Sequence, residues 1–256
     1  MEKNEFTKDY LVSRLICMDK EVNGYNKVYY KANENLVDYL DVDFSDKKVF
    51  SVLASSDQVF TARLLEAREV DSFDYNRLTL YYYYLRVWTI KYANLLYPDI
   101  LDNNRWLHKL LKLVKPSSEE ELKALQFFKR HVYEGTNLSR LFFDIEKQPE
   151  ESLLYSSAEE LKDCIDQPLN FHHLDLFKPF DLGTTYDILL ISNILEWSRG
   201  DENKIRIAKE NIDRLLSRDG TVICSNLLSR SMEQEQEIFD NYEFNQTGKT
   251  YTYTKK

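Results

Sequence analysis

Glycine is scarce: the 256 residues include 6, and none lies between Gly24 and Gly135. A pyrophosphate needs glycines so that the backbone can approach it closely. The shortage argues against a dinucleotide site or a P-loop. Cysteine is scarce too. Cys17, Cys164 and Cys224 are far apart and odd in number, with no Cys-x-x-Cys or Cys/His spacing. No zinc site or disulfide framework follows, and reduced thiols of a cytoplasmic protein are expected. No run approaches the ~20 apolar residues of a membrane span. The opening MEKNEFTKDYLVSRL has no long apolar core, so a signal peptide is not expected. Positive charge is in deficit: 34 Lys and Arg against 43 Asp and Glu give a net −9. That argues against a general grip on nucleic-acid phosphate and against stable association with anionic membranes, while leaving a local basic patch open. No basic amphipathic helix is read in the sequence.

What is present is an ordinary globular balance, 43% hydrophobic and 30% charged, long enough for one large domain with an insertion. NLVDYLDV (35–42) has helical spacing, with Leu36, Val37 and Leu40 on one face. Val49 to Leu53 read as a short strand buried on both faces, as in a parallel sheet. Ser55, Ser56 and Asp57 then open a helix over 58–65. EVDSFDYN (69–76) is a strand ending on Asp74, and a long helix with apolar positions from Leu78 to Leu95 runs to Pro98. Of its four consecutive tyrosines, two are expected to face the core. Residues 99–165 are charged and helical, with Ser-capped starts, and read as an insertion. Strand patterns return at 169–177, ending near Asp175, and at 186–197, where YDILLISNILEW ends its strand at Ser192-Asn193. A helix over 204–220 closed by Gly220, a strand at 221–228 and a terminal hairpin complete the pattern. Alternating strands and helices imply an α/β fold with a doubly wound, mostly parallel sheet: one Rossmann-like domain over 1–256 with a helical insertion at 99–165.

In such a sheet the ligand lies beyond the carboxyl ends of the strands. The loops there carry Ala54-Ser55-Ser56-Asp57-Gln58, Asp74-Tyr75-Asn76, Asp175-Leu176 and Ser192-Asn193-Ile194. S-adenosylmethionine makes different demands, since it has no phosphate and is a cationic sulfonium zwitterion. Its ribose diol wants a carboxylate at the end of the second strand, and Asp74 follows Ser55 by 19 positions, near the ~20 expected of a ribose acid. Its adenine amino group wants an acceptor such as Asp175. Its amino-acid moiety wants carbonyls and carboxylates, which the first and fourth loops can supply. Each Asp or Asn also has a plain structural reading as a helix cap; the four loops in order weigh more than any one.

These residues resemble the Rossmann-like S-adenosylmethionine-dependent methyltransferase superfamily. More narrowly they resemble the S-adenosylmethionine:diacylglycerol 3-amino-3-carboxypropyl transferases of betaine-lipid synthesis and their bacterial relatives. That family's first loop, S-G-G-D-N or S-S-G-D-Q, is matched by Ala54 to Gln58 with Ser56 in place of glycine. Its D-[IL]-N is matched by Asp74-Tyr75-Asn76, its aromatic helix by YYYYLRVWTI, and its S-[ND]-I-x-[ED]-[WY] by Ser192 to Trp197. Ala32-Asn33-Glu34-Asn35 stands where the family has an acidic motif before the first strand. The resemblance covers about residues 25–95 and 165–230.

It implies transfer of a methyl or 3-amino-3-carboxypropyl group from the sulfonium to a small-molecule acceptor the sequence does not name. Glu34 is the candidate catalytic carboxylate; its plain reading is an acid at a helix start. His172 and His173 fall on one strand, face opposite ways, and read as structural, as do Tyr29 and Tyr30. No metal is implied. Three functions stay open: an active transferase, a silent cofactor-binding sensor, and an interaction domain that no longer binds. The missing glycine favours the last: if that position needs positive φ, serine is strained there.

Overall fold

Among the described residues seven strands form one sheet in the order β3-β2-β1-β4-β5-β7-β6. The computed structural model describes residues 27–98, 104–135, 138, 142, 153–198, 200–225, 239, 241–247 and 250–256. The expected strands are there: β1 (Lys48–Val52), β2 (Glu69–Asp74), β3 (Asn170–His173), β4 (Tyr186–Ser192) and β5 (Leu216–Ser225). All five pair in parallel. The terminal hairpin is β6 (Tyr242–Thr247) and β7 (Thr250–Lys255), with β7 antiparallel to both β5 and β6. The chain is therefore an α/β, Rossmann-like protein with a mostly parallel sheet. The strand run 1-2-3 goes one way from β1 and the run 4-5 the other, so the topological switch point lies between β1 and β4.

Two compact units divide the chain. The sheet unit comprises 31–75, 149–155 and 166–256. It holds the sheet, α1 (Asp57–Leu64), a 3-10 helix (Leu36–Asp41) and, from the later part of the chain, a helix at Glu202–Leu215. Its core is built on Phe50, Phe73, Tyr186, Leu189, Ile191 and Val222. Phe50 stacks between Phe73 and Tyr186, both at 4.7 Å between ring centroids. Tyr186 donates to Asp71 at 2.8 Å, and burial, with that bond, pushes its hydroxyl pKa well up. The helical unit comprises 1–30, 76–148 and 156–165. It takes in α2 (Leu78–Ala93), α3 (Asn104–Leu113), α4 (Glu119–Glu134) and α5 (Ala158–Ile165), so it is larger than the 99–165 segment. The Glu202–Leu215 helix is α6.

Several local expectations are corrected. The 36–41 segment is a 3-10 helix, so positions three apart share a face: Leu36 and Tyr39 are buried, while Val37 and Leu40 are 38% and 58% exposed. α2 stops four residues before Pro98, at Asn94, which adopts the left-handed region (φ 55) that asparagine tolerates. α6 ends at Leu215, and Gly220 lies inside β5. A Cβ at Gly220 would sit 2.9 Å from the Leu216 side chain, so close approach rather than capping explains the glycine. The Ser-capped start of α4 holds: Ser118 Oγ accepts from Glu121 N at 3.1 Å, and Glu121 accepts back from Ser117 N. Of the tyrosine run, Tyr82 and Tyr83 are buried, and Tyr81 and Tyr84 are half-buried. Tyr30 is core in its own unit, its carbonyl accepting from Tyr82 at 2.8 Å.

The absent basic amphipathic helix is a further correction, because α3 is one. Leu107, Leu110 and Leu111 are buried while Arg105, Lys109 and Lys112 are exposed. Among the described residues no helix is long and apolar enough to cross a membrane, and no group of three or more His, Cys, Asp or Glu is placed to hold a metal ion. Cys164 and Cys224 are buried and reduced; Cys17 and the opening segment lie outside the described residues.

Candidate functional site

The first loop turns tightly between β1 and α1. Ala54 and Ser56 take positive φ, 38° and 76°. At the end of β4, across the switch point, Ser192 does the same at 49°. Left-handed backbone costs a non-glycine residue about 1–2 kcal/mol, and such strain gathers where a chain is held for function. Ser56 is thus in the conformation a glycine would adopt, as its motif position predicts. Its side chain is fully buried, and its Oγ has no hydrogen-bond partner among the described residues.

Asp57, at the first turn of α1, is completely buried. Its Oδ2 accepts from Ala32 N at 2.6 Å and from Ser55 Oγ at 2.8 Å, and its Oδ1 accepts from the Tyr155 hydroxyl. These bonds occupy both oxygens and make Asp57 the pin that fastens the segment before β1, and the chain at Tyr155, onto the loop. Gln58 follows, 1% exposed. Its Nε2 donates to Glu34 Oε1, while its Oε1 has no partner among the described residues.

Glu34 is therefore not an exposed helix-start acid. It is 1% exposed, and its Oε2 accepts from Ser225 Oγ at the end of β5. Ser192 and Tyr39 also interact with it, although the Tyr39 hydroxyl does not complete a well-formed bond. Burial raises the Glu34 pKa above its ordinary value of 4.5, and hydrogen bonds from Ser225, Gln58, Ser192 and Tyr39 pull it back. Burial and the charge of Glu34 push Tyr39 well up in turn. One carboxylate thus joins the start of α1 to the carboxyl ends of β4 and β5, beside the switch point.

Asp74 ends β2, 6% exposed, and its Oδ2 accepts from Ala54 N at 3.1 Å, tying the second loop to the first. Tyr75 is half-buried, and its carbonyl bonds His173 Nε2 at 2.8 Å. His172 packs edge-on to Phe50 at 5.7 Å, and burial lowers its pKa. Asn76 belongs to the helical unit, where its Oδ1 accepts from Leu78 N at 3.0 Å and its Nδ2 donates to the Lys27 carbonyl at 3.3 Å. Asp175 is half-buried and closes its own turn, Oδ1 accepting from Phe177 N at 3.0 Å. Leu176 is core, and its carbonyl accepts from Asn211 at 2.9 Å. Asn193 is 8% exposed and donates to Glu196 at 3.2 Å, while Ile194 opens a 3-10 helix over Ile194–Ser198.

Of the candidate residues, Glu34, Gln58 and Ser192 share one cluster, and Ala54 joins Asp74. Asp175 bonds within its own turn. Four participants were not read from the sequence: Tyr39, Ser225, Tyr155 and the backbone N–H of Ala32. Ser225 carried a signal, since it ends the TVICS strand as Ser192 ends the YDILLIS strand. Tyr155 carried none.

Fold and site together define a Rossmann-like α/β protein with a polar, strained carboxyl edge at its switch point. No protein-family model matches the chain, and no curated protein matches it. Among solved structures it is similar to the N-methyltransferase NodS from Bradyrhizobium japonicum WM9, with TM-score 0.42, 8% identity, and 86% of this chain and 93% of that one covered. It is also similar to magnesium protoporphyrin IX methyltransferase from Synechocystis PCC 6803, solved with bound SAM, at TM-score 0.39 and 13% identity, covering 100% and 86%. A third is ribosomal protein L11 methylase from Lactobacillus delbrueckii subsp. bulgaricus, at TM-score 0.35 and 10% identity, covering 97% and 79%.

Proposed function

We propose that this protein binds S-adenosylmethionine at the carboxyl edge of β1, β2 and β4 and transfers its methyl or 3-amino-3-carboxypropyl group to a small acceptor. The observation that carries the reading is the first loop. Its backbone takes the conformation glycine would supply, and Ser56 Oγ and Gln58 Oε1 remain as buried polar atoms without partners among the described residues. Buried polar groups are normally satisfied, so the loop fits a ligand that supplies both donors and acceptors. The acid at the end of β2 fits the ribose diol, and the deficit of positive charge suits a cationic sulfonium. The motifs resemble those of the betaine-lipid family; the acceptor is proposed only as a small nucleophile.

When bound, S-adenosylmethionine supplies an electrophilic carbon on its sulfonium sulfur. Asp74 would hold the ribose, with Ala54 N–H keeping its carboxylate in place. The 54–58 loop and Ser192-Asn193 would hold the amino-acid part. Asp57 fixes the loop that does so and is itself fully engaged. Glu34 has a raised proton affinity, so it is suited to orient the reacting groups and to take a proton from a protonated nucleophile at Oε1 or Oε2.

An interaction domain that no longer binds the cofactor is the second reading. It is favoured by Ser56, whose side chain stands where the family's glycine lets the backbone meet the cofactor. A binding titration separates the two, and product analysis separates an active transferase from a silent binder. Methyl transfer releases S-adenosylhomocysteine, and aminocarboxypropyl transfer releases 5′-methylthioadenosine. With a pool of amine and hydroxyl acceptors, release of either, lost in Glu34→Gln, is the expected result. Binding without release of either compound selects the silent reading.

A further inference from the structure

In a chain of net charge −9, one helix carries uncompensated positive charge. From Asn104 to Ser118 there is no acidic residue, while Arg105, Lys109, Lys112 and Lys115 give four positive charges. On α3 the positions at i, i+4 and i+7 share a face, so Arg105, Lys109 and Lys112 form one stripe, with His108 beside them. All four are exposed, as is Lys115 just beyond the helix. Among the described residues none of the four cations makes an ion pair. By contrast Lys123, Arg130 and Lys162, on α4 and α5, are each paired with a neighbouring glutamate. The opposite face of α3 is spent: Leu107, Leu110 and Leu111 are at most 3% exposed. Leu113, flanked by Lys112 and Lys115, is nonetheless 54% exposed.

We propose that this face of α3 docks on an anionic lipid surface. Charge complementarity selects an anion-bearing partner, and Leu113 selects among such partners. A leucine set among lysines gains from the boundary between headgroups and acyl chains, whereas phosphate-lined nucleic acid gives it nothing. On α3 Trp106 is half-buried and His108 is the one exposed ring, so there is no row of exposed aromatic rings of the kind single-stranded nucleic acid stacks on. Because the apolar face of α3 is already packed, contact is peripheral and reversible, dominated by the lysines and sensitive to salt. This inference rests on α3 alone and stands whether or not the sheet unit binds a cofactor.

The test is co-sedimentation of the full chain with vesicles of phosphatidylcholine, with and without about one-third phosphatidylglycerol. Two variants accompany it, Lys109→Glu/Lys112→Glu and Leu113→Ser. Both change only exposed side chains, and their thermal midpoints confirm folding. The expected result is binding to the anionic vesicles only, released by raised salt. Charge reversal weakens it by about 100-fold or more, and Leu113→Ser by a smaller factor of about 3 to 10. Absence of binding to anionic vesicles at low salt overturns the proposal. So does binding that the charge reversal leaves unchanged, or capture of an RNA oligonucleotide by the same lysines with no vesicle binding.

Discussion

The loop after β1 and the loop after β3 looked alike in sequence: each is short and polar and carries an aspartate that can cap a helix. In the structure they differ in kind. The first is buried, holds two residues at positive φ, and leaves Ser56 Oγ and Gln58 Oε1 without partners among the described residues. The second is half-buried and closes on itself through Asp175 and Phe177 N. A loop that satisfies its own polar groups needs nothing further. A loop that stores strain and keeps buried polar atoms unsatisfied is held that way by its surroundings, here by Asp57, Glu34 and their partners. Burial and orphaned polarity, more than residue type, separate a candidate site from a cap.

That contrast can be broken or sharpened by substitution. The largest effect is expected at Glu34. Removing its carboxylate in Glu34→Ala leaves Gln58 Nε2 and Ser225 Oγ buried without their acceptor, at a cost of about 2–4 kcal/mol, read by urea denaturation. Its pH dependence has a definite sign. The folded pKa lies above the ordinary 4.5, so the native state holds the proton more tightly than the unfolded chain. The Glu34 contribution is complete below about 4.5 and is lost as pH rises through the folded value. Glu34→Gln should therefore flatten a fall in thermal midpoint over that interval; an unchanged slope would count against a raised pKa.

Next comes Tyr155→Phe, which takes from Asp57 one of its partners and should cost about 1–2 kcal/mol by the same denaturation. Ser56→Gly runs the other way. It removes left-handed strain and a buried unpaired hydroxyl, against the greater freedom of glycine in the unfolded chain, for a net gain of about 0.5 kcal/mol. A loss of stability there would mean that Ser56 Oγ has a partner. Asp175→Ala is the smallest, about 0.5 kcal/mol or less, because its turn is partly exposed.

β1 and β4 were legible because burial on both faces writes near-continuous apolar runs, as in Val49-Phe50-Ser51-Val52, broken by one serine, and Ile188 to Ile191. Asp74 was placed correctly at a strand end because a strand followed by Asp-Tyr-Asn has a clear boundary. The errors came where two physical causes share one residue type. Gly220 reads as a helix stop but is small to admit Leu216. Val37 and Leu40 are as apolar as Leu36, so residue type alone did not reveal that the turn buries Leu36 with Tyr39 instead. The clasp of Glu34 with Ser225 joins residues 191 positions apart, and Tyr155 meets Asp57 across 98. No local pattern encodes such pairs; the pairing of Glu34 with Ser225 follows from the strand order, which places β5 beside β4 and the first loop at the switch point.

The central proposal is that the strained, buried loop after β1, joined to Asp74, holds the cofactor, and that the β3 loop only closes its own turn. Calorimetric titration with S-adenosylmethionine of the wild-type protein, Asp74→Ala and Asp175→Ala tests both halves at once. The account predicts binding in about the micromolar range for wild type, loss in Asp74→Ala, and a change of less than about threefold in Asp175→Ala. No heat at millimolar ligand, or equal binding by Asp74→Ala and wild type, would contradict it.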